Sequence, residues 1–435
     1  MSAICGVLRF DGIPVRDADL KTSNQHHVRT GPRPATGVAP GSVGLGHALM
    51  QATEDDVFDD QPIVDSVAGV SLVADLRLDN REELAEALAI DSVALTKLAD
   101  SALLMRAYRK WGEGCAERLL GDFAFAIWDA SARKLFLGRD HMGTRYVHYY
   151  RGRDFFVFST EKKGLWAIAG APRRLDDFKV GQRLTLDMNH VGGATLFQDV
   201  FGVLGGTIMT VAADGAVSSR RYWEPHADPS HLGRDEAYYI ATYRRLMAEA
   251  VQCRLRRATR PVGLFMSGGF DSAAIAALAG PVVSAKNRKL IAVASVMPED
   301  YRGPLPHARP WVEFCRRDMP HLDVRYVTRD GLGLLDNLEA DFVRLDDARS
   351  PNRVAATAIC TEFVRSGARV VMDGFGGDYT VNPTARNWLA EQLLDGKLRM
   401  VLAELRAYRR AKNAAIGRCS SMRSSGLYCP HGFRD

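Results

Sequence analysis

The first half of the chain reads as β-rich from its alternation of apolar and polar positions. Short apolar or alternating runs at 44–47, 70–76, 119–128, 134–138 and 155–159 are divided by Gly, Asp and Asn turns, the mark of strands in half-buried sheets. One helix interrupts them at 100–111, where Ala102, Leu103, Met105, Arg106 and Tyr108 mix a buried and a wet face. Around 202–225 the pattern changes. Gly205-Gly206 and Ala212-Ala213-Asp214-Gly215 predict a turn-rich hairpin, and the boundary to a second region is set near Pro225. Beyond it Tyr239, Tyr243, Leu246, Ala250 and Cys253 recur at helical spacing. Buried-strand runs at 262–266, 290–296, 324–327 and 370–372 then alternate with helices at 272–278 and 353–365. That alternation predicts a parallel sheet wound with crossover helices. Ligands bind such sheets at the carboxyl ends of the strands, which singles out the loops after Met266, Val296 and Met372. From Lys412 onward the chain turns Arg-, Ser- and Gly-rich and loses helical periodicity; this tail is expected to be disordered or altered.

Length turns this pattern into a domain plan. The 435 residues suit two domains, 1–225 and 226–411, with 412–435 as the tail. Hydrophobic content of 46% and charged content of 25% place the chain with globular proteins. A formal charge of +5 allows an anionic ligand such as a nucleotide but gives no argument for a nucleic-acid partner. No apolar stretch approaches the roughly 18 residues that span a bilayer, so no membrane partner is expected. Met1-Ser2-Ala3-Ile4-Cys5 lacks the basic and apolar regions of a signal peptide. Seven scattered cysteines without a CxxC pair fit a reducing cytoplasm and no zinc site.

The strongest chemical signal is Phe265-Met266-Ser267-Gly268-Gly269-Phe270-Asp271-Ser272, which joins a buried strand to a helix. Two glycines let the backbone turn sharply and approach a ligand without interference from a Cβ. The amides that follow point at a helix start, where unpaired N–H groups and the helix dipole favour an anion. Ser267 and Ser272 can add hydroxyl donors. Asp271 repels a phosphate directly, so a carboxylate there makes sense if it holds Mg²⁺ bridging phosphate oxygens. The GxxxxGK[ST] pattern and its lysine are absent, which excludes a Walker loop. Two glycines alone would fit a plain tight turn; the full six-residue string in a strand–loop–helix setting favours phosphate.

Ser267-Gly268-Gly269-Phe270-Asp271-Ser272 resembles the SGGxDS pyrophosphate loop of the ATP pyrophosphatases. A second string, Val370-Val371-Met372-Asp373-Gly374-Phe375-Gly376-Gly377-Asp378, sits where that family carries an SGxGSD-like loop. The order of the chain over roughly residues 1–410 resembles the asparagine synthetases and their relatives, which include β-lactam synthetase and the lasso-peptide macrolactam cyclases. The resemblance implies α+β and α/β fold classes: an Ntn-hydrolase-like αββα sandwich, then a doubly wound parallel-sheet ATP-pyrophosphatase domain of the adenine nucleotide alpha hydrolase type. It implies cleavage of ATP between its α and β phosphates to give an acyl-adenylate and pyrophosphate. Asp271 and Asp378 would then be catalytic and share Mg²⁺, with Ser267, Gly268, Gly269, Ser272 and Gly374 on the nucleotide.

Gly138-Arg139-Asp140-His141-Met142-Gly143 and Phe158-Ser159-Thr160-Glu161-Lys162-Lys163 resemble structural strings of the family's glutamine-hydrolysing domain. That chemistry needs a cysteine directly after the initiator Met, whose free α-amine serves as base for the thiol. Here Ser2 holds the place, and Cys5 falls where the family has an apolar residue. The family's NGE string appears as Asp75-Leu76-Arg77, and the arginine expected after the Gly-Leu-x-His segment is Leu49; Asp100 alone survives. The expectation is a retained fold without ammonia production, with Ser2 as a substitute nucleophile the open alternative.

Without ammonia the amine must come from the substrate, which favours the intramolecular branches. Asparagine synthetase carries a glutamate at the position of Phe375, where a bulky ring suits a larger, less polar substrate. His307-Ala308-Arg309-Pro310-Trp311-Val312-Glu313, Ser350-Pro351-Asn352-Arg353 and the Asp-Gly-x-Gly-Gly-Asp loop resemble lasso-cyclase strings. The implied reaction joins the N-terminal amine of a precursor peptide to an Asp or Glu side chain, with a leader protease and a leader-binding protein as partners. Trp311 also fits a core role, and Arg309 and Glu313, four apart, also fit a simple helix-face pair. Family members continue through a helical segment whose lysine contacts the reacting phosphate. Lys397 and Lys412 read as surface, so the second domain is expected to be incomplete. Two alternatives stay open: a glutamine-hydrolysing asparagine synthetase, and a truncated relative that binds nucleotide without turnover.

Overall fold

The computed structural model describes residues 2–16, 18–20, 36–39, 41–185, 192–303, 308–329, 333, 336, 338–345, 353–377 and 388–423. Two compact units divide the chain: Met1–Thr242 with Arg256–Thr259 and Leu335–Ser350, and Tyr243–Leu255 with Arg260–Leu334 and Pro351–Asp435. Pro225 lies in a stretch without regular structure, 222–228.

The first unit holds two six-stranded antiparallel sheets. One contains β1 (Ala3–Arg9), β2 (Thr36–Val38), β3 (Val43–Ala48), β8 (His148–Arg151), β9 (Phe155–Ser159) and β10 (Val200–Gly202), in the order β10-β8-β9-β1-β3-β2. The other contains β4 (Ile63–Asp65), β5 (Val70–Leu78), β6 (Gly121–Asp129), β7 (Lys134–Arg139), β11 (Thr207–Ala212) and β12 (Val217–Arg221), in the order β12-β11-β7-β6-β5-β4. The period of two sorts the side chains. Along β6, Ala124, Ala126 and Trp128 join Ile4, Leu8, Leu45, Phe156 and Phe158 between the sheets. Phe123, Phe125 and Ile127 point the other way, onto Leu84 of α1 (Arg81–Ala87) and Leu103, Leu104 and Ala107 of α2 (Asp100–Trp111). The outer face of the first sheet, through Val7, Phe155 and Val157, packs on Leu165, Ile168 and Phe197. The layering is helix–sheet–sheet–helix, the αββα sandwich that was expected. Phe123, Phe125, Phe136, Phe156 and Phe158 are fully buried, each contributing roughly 2–3 kcal/mol of apolar transfer.

The second unit is built on a four-stranded parallel sheet of β13 (Val262–Phe265), β14 (Leu290–Ser295), β15 (Leu322–Val327) and β16 (Val370–Met372), ordered β15-β14-β13-β16. β14 is buried along Leu290–Ala294, as its unbroken apolar run requires. Helix α3 (Phe270–Ser284) extends past both ends of the predicted 272–278. It buries Ser272, Ile275, Ala276, Ala279 and Val283, one face at helical spacing. α4 (Arg309–Asp318) precedes β15, and α5 (Arg353–Arg365) lays Ile359 and Phe363 on Ile291 and Val293. α6 (Leu398–Arg423) corrects the reading of the tail: its backbone stays helical through 412–423, where disorder was expected. Ala411, Ala414, Ala415 and the interleaved Lys and Arg are strong helix formers, and they outweigh the Ser and Gly. Residues 424–435 lie outside the described part. Among the described residues no helix is long and apolar enough to cross a membrane.

Candidate functional site

The order of the parallel strands locates the site. From β13 the chain moves to β14 and β15 on one side and returns as β16 on the other. The loops after β13 and β16 therefore diverge from a topological switch point, where open α/β sheets bind ligands. Both loops were singled out by sequence, and the register Val262↔Val370 to Leu264↔Met372 sets them side by side.

The first loop is braced internally. Gly269 N–H donates to Ser267 Oγ (3.2 Å), Ser267 N–H donates to Ser272 Oγ (3.3 Å), and Ser272 Oγ donates to the Gly269 carbonyl (3.2 Å). The two hydroxyls stand 3.1 Å apart. Ser272 is buried, so its hydroxyl holds the turn together, while Ser267 is exposed at the rim. Gly268 has φ +75, and a Cβ there would lie 2.7 Å from Trp311 Cβ. Only glycine combines that backbone with that approach. Trp311 thus buttresses the loop with its base, while its side chain stays half exposed.

Asp271 sits under the second loop. A Cβ at Gly374 would stand 2.8 Å from Asp271 Cβ, and one at Gly377 would stand 2.5 Å from the Asp271 carboxyl carbon. The two glycines let the loop close over that carboxylate. Among the described residues no hydrogen bond or ion pair engages it. Asp373 Oδ1 accepts the Phe375 N–H at 2.9 Å and tightens the turn. Phe270 and Phe375, on the two loops, are 87% and 91% exposed, so the rim presents rings to solvent. Asp378 lies outside the described residues, as do His307, Ser350, Pro351 and Asn352. Gly377 was quoted in the string but given no role; its place directly before Asp378 was the available signal.

Arg309 and Glu313 do not form the helix-face pair that spacing allows. Both grip Tyr326 on β15: Arg309 lies over its ring at 4.3 Å, and Glu313 Oε1 accepts its hydroxyl at 2.7 Å. Arg309 also reaches Glu299 at 3.4 Å. Burial, then Glu313, pushes the Tyr326 hydroxyl up, and the same hydrogen bond holds Glu313 below the ordinary carboxylate range.

In the first unit the positions aligned with glutamine binding are buried or engaged by neighbouring groups of the fold. Ser2 Oγ accepts the Met50 N–H at 3.0 Å. Leu49 is buried, and Cys5 is buried within β1. Asp75 pairs with Arg145 at 3.6 Å, and Arg77 donates to the Arg256 carbonyl at 3.2 Å. Asp100 accepts the Leu78 N–H at 2.7 Å, is bound by Arg81, and has Arg256 at 3.8 Å. Asp55, 1% exposed, completes the cluster with Arg257 at 2.7 Å and Arg81 at 3.6 Å. Burial pushes the Asp55 carboxyl up, against the pull of Arg81, Arg257 and Arg256. Sequence reasoning missed this cluster. The run Arg254-Leu255-Arg256-Arg257 was its visible half, and nothing local links that run to Asp55 or Asp100.

Residues 1–223 match the glutamine amidotransferase domain family, and residues 242–418 match the asparagine synthase family. The glutamine-hydrolyzing asparagine synthetase 3 of Bacillus subtilis is 30% identical over 202 residues, 46% of this chain and 32% of that protein. Amidase chyE of Penicillium rubens is 26% identical over 54% of this chain and 34% of its own length. A putative glutamine-hydrolyzing asparagine synthetase 2 of Methanocaldococcus jannaschii is 25% identical over 54% of this chain and 47% of its own length. The chain thus spans less than half the length of each of these relatives. Among solved structures, the glutamine phosphoribosylpyrophosphate amidotransferase of B. subtilis aligns over 80% of this chain and 94% of its own, with a TM-score of 0.39 and 11% identity. With an amidotransferase domain followed by an asparagine synthase domain, the chain belongs to the asparagine synthetase family.

Proposed function

We propose that this member of the asparagine synthetase family binds ATP at the two diverging loops and uses it to adenylate a carboxylate, which an amine then captures as an amide. The observation that carries the proposal is the Asp271 carboxylate, unpaired among the described residues and set beneath the glycines of the second loop. A carboxylate is a poor electrophile at neutral pH. Its oxygen attacks the α-phosphorus, the bond to the β-phosphate breaks, and the mixed anhydride that forms is open to an amine. The loop amides and the start of α3 favour the phosphates electrostatically, and holding both reactants close supplies the remaining advantage.

Mg²⁺ fits the donor set. Asp271 offers a carboxylate with no competing cation among the described residues, and Mg²⁺ commonly takes one or two carboxylates and completes its shell with phosphate oxygens and water. Asp271 would hold it, with Asp378 as the expected second ligand. Bound there, the ion would neutralise charge on the phosphates.

The amine is proposed to be the N-terminal amine of a precursor peptide, closing on an Asp or Glu side chain as in lasso-peptide macrolactam synthetases. Support comes from Ser2, Leu49 and Arg77 in place of the glutaminase residues, and from the engagement of Asp100 by Arg81. The exposed rings of Phe270 and Phe375 suit an apolar peptide better than free aspartate. A leader protease and a leader-binding protein in the cytoplasm follow as partners.

The names of the B. subtilis and M. jannaschii relatives favour a second reading, glutamine-dependent asparagine synthesis. ATP–pyrophosphate exchange separates the two. Exchange that needs a precursor peptide supports the macrolactam reading, and exchange with aspartate together with glutamine hydrolysis replaces it. Nucleotide binding without exchange, whatever carboxylate is offered, leaves a non-catalytic relative.

A further inference from the structure

The carboxyl edge of the parallel sheet carries a cation to which no role has been given. β13 and β14 pair in parallel up to Phe265↔Val293, so Ser295 ends β14 at the same edge of the sheet from which the phosphate loop leaves β13. Ser295 in turn pairs with Val327 on β15, and Arg329 leaves the sheet two residues later. Its side chain folds back across β14, where Nε donates to Ser295 Oγ at 3.4 Å. Neighbouring strands lie about 4.8 Å apart. The guanidinium is therefore anchored at the end of β14, the strand beside the one that leads into the phosphate loop.

Two arginines that precede β15 in the chain, Arg302 and Arg309, are engaged. Arg309 is held by Glu299 and the Tyr326 ring, and Arg302 donates to the Glu299 and Tyr301 carbonyls. Arg329 is exposed, and no carboxylate among the described residues pairs with it. Anchored through Nε alone among the described residues, it leaves two terminal NH₂ groups as a fork, the geometry that grips two phosphate oxygens at once.

We propose that Arg329 binds the β and γ phosphates of ATP and holds the departing pyrophosphate, as a phosphate-binding residue of the adenylation site. The inference rests on the adenylation reading. When the substrate carboxylate oxygen bonds to the α-phosphorus, the bond from that phosphorus to the bridging oxygen breaks. The bonding pair leaves on pyrophosphate, and Arg329 neutralises part of that charge. No described lysine is needed at this place.

The test titrates the full chain with MgATP, magnesium pyrophosphate and AMP by calorimetry, comparing wild type, Arg329→Gln, Arg329→Lys and Asp271→Asn. Arg329→Gln should weaken ATP and pyrophosphate by roughly ten- to hundredfold, the value of a charge-assisted bidentate contact. AMP, which lacks the pyrophosphate, should shift by less than about twofold. Arg329→Lys should recover part of the loss, keeping the charge without the fork. A thermal midpoint equal to wild type would show that the fold is intact. Equal weakening of all three ligands, or no weakening of any, overturns the role of Arg329. If ATP binding responds to Asp271 but not to Arg329, the adenylation reading stands and this inference falls. If wild type binds neither ATP nor pyrophosphate, both fall.

Discussion

The chain carries two places where its family does chemistry, and they treat their polar groups in opposite ways. In the first unit the two carboxylates aligned with glutamine binding are paired within the fold, Asp100 with Arg81 and the Leu78 N–H and Asp75 with Arg145, and Asp55 joins them through Arg257 and Arg81. In the second unit the Asp271 carboxylate and the Arg329 fork stay open among the described residues, while the residues around them are braced. Fixed backbone with unengaged charge is what a ligand site needs, because the ligand then meets groups that lose little on binding. Buried charges already paired within the fold offer a ligand little without first breaking those pairs.

The largest effect should come from opening the closed cluster. Arg81→Met leaves Asp55 and Asp100 short of their buried counter-ion and should cost about 3–5 kcal/mol, read by urea unfolding of the first unit. Exchange per folded molecule should change by less than about twofold, since Arg81 belongs to the other unit and is not among the residues proposed to bind ATP. Asp271→Asn should invert this pattern. Stability should hold within about 0.5 kcal/mol because no native partner is lost, while exchange should fall on the order of a hundred- to thousandfold. If both variants lost stability and exchange alike, the contrast between the two places would collapse.

Where sequence succeeded and failed follows from how far its signals reach. The strand–turn–helix junction at 265–272 was legible because glycine, serine and aspartate requirements are local: one strand end, one turn, one helix start. The parallel strands β13, β14 and β16 were legible as unbroken apolar runs. The short edge strands β2, β4 and β10, three residues each, carry too little pattern to detect. The gripping of Tyr326 by Arg309 and Glu313, and the use of Arg256 and Arg257 far from Asp55 and Asp100, depend on strand order and chain return, which spacing does not encode. The helical stretch 412–423 was missed because Ser and Gly were weighed above the Ala, Lys and Arg between them.

Acid offers a gentler probe of the first unit. Burial lowers His47 from 6.5 to about 4, against the pull of Asp75. Above pH 6.5 the imidazole is neutral in both states and stability is flat. Below it the unfolded chain takes the proton first, so stability falls as pH drops towards 4, by about 3 kcal/mol in all. His47→Gln should flatten that limb of the pH–stability curve, and an unchanged slope would assign it to other groups. A smaller effect is expected in the second unit from Gly377→Ala. Its Cβ would press on the Asp271 carboxyl carbon from 2.5 Å, displacing that group and lowering exchange by roughly ten- to hundredfold.

The smallest expected effect is the sharpest test of closure. Ser2→Cys places a thiol where the family's nucleophile stands, so a pocket that lacked only its nucleophile would begin to release glutamate from glutamine. The remaining geometry argues against this. Leu49 presents an apolar side chain where a substrate carboxylate would need a cation, and Arg77 brings positive charge where the family has a glutamate. Asp100, the one surviving polar position, is bound by Arg81 with Arg256 at 3.8 Å, so a substrate amine would have to displace a buried arginine. That exchange loses a charge-assisted pair worth about 3–5 kcal/mol to break, more than one ammonium contact returns. Glutamate release by Ser2→Cys should therefore stay at the wild-type baseline, and should stay there when Leu49→Arg is added. Turnover by the single variant would mean that the first pocket is open after all, and that the two places on this chain differ by one atom rather than by the state of their charges.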